Sequence, residues 1–73
     1  MDTAGFDLEL GRNIRNDLQA RDITLAEAAE RTGISYATLW RHLNTGGLSA
    51  REVYALAEIL GTSVSALTEA AVA

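Results

Sequence analysis

The sequence predicts an all-α domain of five short helices, and three observations carry that prediction. Apolar residues recur at three- and four-residue spacing along the chain, with no stretch carrying the alternation of a strand. Thr24, Ser35, Ser49 and Ser63 each stand before such a run, while Gly33 and Gly61 stand after one, as helix-starting and helix-ending residues do. The 73 residues include no proline, so no residue is barred from a helix interior by its ring.

The first helix is expected from about Asp7 to Ala20, where Leu10, Ile14 and Leu18 form an i, i+4 stripe. Residues 1–6 are small and polar except for Phe6 and are expected to form a flexible tail ahead of a domain spanning 7–70, with 71–73 a frayed end. Gly11 costs such a helix about 1 kcal/mol relative to Ala, which implies either a loose first turn or a close approach by another element. The second helix opens at Thr24 or Leu25 with a capping box formed by Thr24 and Glu27, buries Leu25, Ala28 and Ala29, and stops at Gly33. Ser35 caps the third, whose Leu39 and Leu43 point inward. Gly46 and Gly47 lie in the following loop, Ser49 and Glu52 repeat the capping box, and Val53, Leu56, Ala57 and Leu60 line the fourth helix up to Gly61. Ser63 caps a last helix with Val64 and Leu67 inward.

Size and composition exclude much. A chain of 73 residues holds one core. Without cysteine there is no disulfide, thiol nucleophile or zinc finger, and a single histidine leaves a metal site short of ligands. No cofactor is expected. His42 among scattered serines offers no nucleophile-and-base arrangement, so no enzyme is expected either. No stretch of about 20 apolar residues suits a membrane span, and no small-molecule ligand is evident, which points to a cytoplasmic protein.

Charge is unevenly distributed. Residues 1–30 carry three Arg and seven acids, 31–51 carry three Arg and no acid, and 52–73 carry three Glu and no base, so the sums −4, +3 and −3 give the net −4. The cationic stretch coincides with the third helix. At about 100° per residue, with Leu39 at zero, Leu43 falls near 40°, and Ala37, Arg41 and Asn44 occupy the opposite face. A short, capped, cationic second helix after a glycine turn is a DNA-reading device in which the outward face enters the major groove. Arg41 is the sharpest candidate, because a guanidinium donates bidentately to guanine O6 and N7. Ala37 either meets a thymine methyl or is small so that the helix fits the groove. Tyr36, near 60°, either hydrogen-bonds DNA or packs on the core. Trp40, near 100°, is expected to pack on the loop at Gly46 and Gly47, with any exposed remainder forming a contact surface. His42 is expected to be half buried with one nitrogen satisfied. Arg12 and Arg15 are candidates for phosphate contacts from the first helix.

The residues Leu10-Gly11, Ile14-Arg15, Leu18, Ile23-Thr24-Leu25, Ala28-Ala29, Thr32-Gly33-Ile34-Ser35, Thr38-Leu39, Glu52-Val53 and Ala57 to Gly61 resemble the lambda-repressor-like, Cro-type helix-turn-helix family. The run LWRHLN before a glycine-containing loop looks like a branch common in actinobacteria and their phages. The resemblance implies a compact five-helix domain that binds a double-stranded DNA operator. It implies base reading by Tyr36, Ala37, Thr38 and Arg41, with Ser35 and Asn44 at phosphates. Two positions depart from the family pattern: Thr45 separates Asn44 from the loop glycine, and His42 stands where an apolar residue is usual.

These readings converge on a sequence-specific transcriptional regulator like a small phage repressor or Cro protein. The alternative is a protein-interaction module of the same fold, an antitoxin or regulatory subunit, which the acidic total favours. A homodimer through Val64, Leu67, Ala71 and Val72 is expected, since a single small domain buries little surface on DNA.

Overall fold

The computed structural model describes residues 3–72 and contains five helices: α1 (Thr3–Ala20), α2 (Leu25–Thr32), α3 (Tyr36–Thr45), α4 (Ala50–Leu60) and α5 (Val64–Val72). Among the described residues there is no strand. The expected inward residues build one core, with Leu10, Ile14 and Leu18 from α1, Ala28 and Ala29 from α2, and Leu39 and Leu43 from α3. Val53, Leu56, Ala57 and Leu60 from α4 and Leu67 and Ala71 from α5 complete it. Each fully buried Leu or Ile contributes about 1.5–3 kcal/mol of transfer free energy.

The helix ends follow local chemistry. Thr24 accepts from the Glu27 N–H (3.1 Å), Ser35 from Thr38 (3.3 Å), Ser49 from Glu52 (3.1 Å) and Ser63 from Ala66 (3.0 Å). The box at Ser49 is reciprocal, its own N–H donating to Glu52 at 2.8 Å. That at Thr24 is half formed, because the Glu27 carboxylate turns instead to Arg31 four residues on, at 3.4 Å. On a helix face an i, i+4 ion pair competes directly with the reach back to the cap. α1 ends in a Schellman arrangement in which Ile23 donates to Leu18 and Asp22 to Gln19, with Asp22 left-handed at φ 57.

Two boundaries differ from the sequence reading. α1 starts at Thr3 rather than Asp7, because Phe6 extends the Leu10, Ile14, Leu18 stripe by one turn and packs half buried on the core. Met1 and Asp2, the start of the expected tail, lie outside the described residues, as does Ala73. α5 continues through Val72, with Ala71 buried rather than in a frayed end.

α1 lies between α3 and α5, and α2 packs on both α3 and α4. Gly11 settles between its two expectations in favour of close approach. A Cβ built there would collide with the backbone carbonyl oxygen of Leu43 and come within 3.0 Å of the carbonyl carbon. α1 therefore supports the C-terminal half of α3 backbone to backbone.

Candidate nucleic-acid interface

The α2–α3 unit turns through three residues. Gly33 takes φ 77, where a side chain is disfavoured, and its N–H returns to Ala29 O at 3.0 Å. The Thr32 hydroxyl donates to Ala28 O (2.8 Å) and accepts from Ile34 N–H (3.3 Å), which fixes the exit toward Ser35. Ala28 and Ala29 are small and buried, so α3 lies close to α2.

The outer face of α3 presents Tyr36, Ala37, Trp40 and Arg41, all exposed. Tyr36 is 53% exposed, which excludes the core-packing alternative. Among the described residues Arg41 has no acid within ion-pair distance, and α3 itself carries none. Its guanidinium is thus available to a partner. Thr38 does not join this group: it is half buried and lines a cleft of about 510 Å³ with Ser35, Ser49 and Arg51. Ser35 accepts from Thr38 N–H through its oxygen and keeps its hydroxyl proton for a further acceptor. Asn44 turns back along the helix, donating to Trp40 O at 2.7 Å, so one of its two amide N–H groups remains.

Arg15 is exposed and borders a shallow groove with Thr24 and Leu25 at the start of α2, whereas Arg12 is exposed on α1 without a hydrogen bond or ion pair to the α2–α3 unit among the described residues. Trp40 is 52% exposed, which leaves the exposed remainder that a contact surface requires. Asp7 fills the space beside Gly46, and the His42 ring lies beside Gly47. The four residues expected at a dimer interface divide. Leu67 and Ala71 are buried in the chain's own core, Val64 is half buried against it, and Val72 is exposed. The inward stripe of α5 is needed to close the domain, which removes Leu67 and Ala71 from any surface.

The cleft also brings in Arg51 and Ser49, which the sequence reading did not name as site residues. The start of α4 stands across the cleft from the start of α3, so two helix N-termini and Arg51 border the same space, together with the Glu52 carboxylate, which is already tied to the Ser49 N–H and to His42. The only sequence signal was that Arg51 closes the acid-free stretch. His42 ties the two helices together: Nδ1 lies 3.0 and 3.2 Å from the two Glu52 oxygens, both side chains being mostly buried. The departure from the family's apolar pattern at this position is thus a polar contact between α3 and α4.

Burial would push the Glu52 carboxyl up, but the Ser49 N–H, the His42 hydrogen bond and charge, and the Ser49 hydroxyl together hold it below its ordinary value. A group that ionises more readily folded than unfolded stabilises the fold above its unfolded value, about 4.3, and that contribution is lost as pH falls through the folded value. Glu52→Gln should therefore lower the melting temperature at pH 7, and the gap to the parent should close below about pH 4. Melting curves across that range test this; a gap of constant size down to pH 3 would show that the ionised carboxylate is not what holds the cap.

A capped second helix after a glycine turn, with an acid-free outer face and an arginine unpaired among the described residues, defines a helix-turn-helix of the DNA-binding kind. The family model of the Cro/C1-type HTH DNA-binding domain matches residues 13–70, and the chain belongs to that family. No curated protein and no solved structure matches it.

Proposed function

We propose that this protein is a sequence-specific transcriptional regulator of the small phage repressor or Cro kind, acting in the cytoplasm on a double-stranded operator and without enzymatic activity. The observation that carries this reading is the outer face of α3, where Arg41 stands exposed and without an acid partner among the described residues. Arg41 reads guanine, Tyr36 and Ala37 approach neighbouring base edges, and Ser35, Arg51, Arg15 and the remaining Asn44 N–H take phosphates. Arg12 adds a backbone contact from α1. Thr38 acts beside the phosphate cleft rather than on a base.

A single domain of this size buries only about 600–1,000 Å² on DNA, so two copies share an operator, with their reading helices about 34 Å apart. Of the C-terminal residues, Val72 and the rim of Val64 remain for contact between copies.

Counterion release gives the test. With Arg12, Arg15 and Arg51 each neutralising one phosphate, affinity for duplex DNA falls about 40-fold per chain between about 50 and 200 mM salt. Affinity that stays flat over this range rejects DNA as the partner and favours the protein-interaction reading, which the net charge of −4 supports. Sedimentation of the same mixtures gives the stoichiometry, and one chain per site rejects the pairing.

A further inference from the structure

We propose that the Trp40 indole, with the Tyr36 ring one turn before it, reads thymine through its C5-methyl group, so that each half-site carries thymine beside the guanine met by Arg41. The proposal rests on the DNA-reading assignment above and names what that face selects. Trp40 and Tyr36 are 52% and 53% exposed, four residues apart on one flank of α3, beside Ala37 and Arg41. Among the described residues neither ring makes a side-chain hydrogen bond, and about half of each is left to a partner.

Two bare aromatic rings on the reading helix fit a surface that is covered when bound. Base edges in the major groove are donors and acceptors, with one apolar exception, the thymine methyl. Ala37 adds no bulk between the helix axis and the groove, and the absence of acids on α3 lets the whole flank approach a polyanion. Residues 40 and 41 differ by about 1.5 Å along the axis and about 100° around it, so with Arg41 on a guanine the indole lies over an adjoining base pair. Tyr36 lies about 6 Å earlier along the axis, less than two base-pair steps of about 3.4 Å. The thymines therefore fall within about two base pairs of that guanine.

The test begins with duplexes selected by the intact chain from a random-sequence pool. Each thymine of the selected site is then replaced by deoxyuridine, which removes the methyl and leaves every hydrogen-bonding group in place. At one or two thymines near the Arg41 guanine, affinity should fall about four-fold, the worth of one buried methyl group. At the thymine under the indole, Trp40→Ala should bind the thymine and uracil duplexes alike. Trp40 is the only tryptophan, so protection of its fluorescence from acrylamide by the selected duplex reports on the same contact without any variant. Uracil tolerated at every position, discrimination undiminished by Trp40→Ala at every sensitive thymine, or unchanged quenching on binding would each overturn the proposal and leave the aromatic pair to a protein partner. In those cases Arg41 would still read the selected site. A pool from which no duplex is enriched overturns the DNA-reading assignment itself, and the thymine contact with it.

Discussion

Arg41→Ala should abolish the preference for operator over random DNA, lowering operator affinity by about 1–3 kcal/mol, or roughly 5- to 150-fold, while affinity for random duplex changes much less. The guanidinium is exposed on the outer face of α3 with no acid partner among the described residues, so its removal leaves the fold intact and takes away two directed donors. Arg51→Ala supplies the contrast. That side chain faces the cleft between the starts of α3 and α4, so its loss should weaken operator and random DNA by the same factor. Parallel gel-shift titrations of both variants decide the matter. Operator affinity equal to that of the parent would remove Arg41 from the mechanism.

Gly11→Ala should destabilise the domain by about 1–3 kcal/mol, although helix propensity alone would make it about 1 kcal/mol more stable. The sign reverses because the added methyl would meet the Leu43 carbonyl, and backbone on both sides gives way less easily than a side chain. In a domain of this length each kcal/mol corresponds to about 4–8 °C in melting temperature. Circular dichroism melts of parent and variant test this directly, and a variant melting at or above the parent would show that α1 and α3 part without cost. Moving α1 also shifts the support of α3 beneath Leu43, so the variant should lose operator affinity at temperatures where it is still folded.

What could be read from the sequence is what is decided within a few residues. Thr24, Ser35, Ser49 and Ser63 cap helices as expected because a hydroxyl reaches the N–H three residues ahead whatever lies beyond. Leu39 and Leu43 are buried, and Ala37 and Arg41 exposed, because helical periodicity alone separates them. Where two local options compete, the sequence is silent. Glu27 could have closed its box or paired with Arg31, and Asp22 carries no glycine to announce a left-handed turn. Contacts across the loop were beyond reach for a different reason. His42 meets Glu52 ten residues on, and Arg51 faces Ser35 and Thr38, only because α4 packs where it does. The fate of Leu67 and Ala71 likewise depended on whether α1 and α4 would enclose them.

The uneven placement of charge bears on how the molecule arrives at its target. Arg41 lies in the middle of α3 and Arg51 in the first turn of α4 beside Glu52, whereas Glu58 and Glu69 lie near the end of α4 and on α5. With residues 31–51 at +3 and residues 52–73 at −3, such a chain carries stretches of both signs as well as a net negative charge. In the field of a duplex it experiences a torque that turns the arginine side inward, while an approach by the glutamate side meets repulsion. Collisions are therefore sorted by orientation before any base is touched, and those that would trap a more basic protein wrong side down on DNA are short-lived.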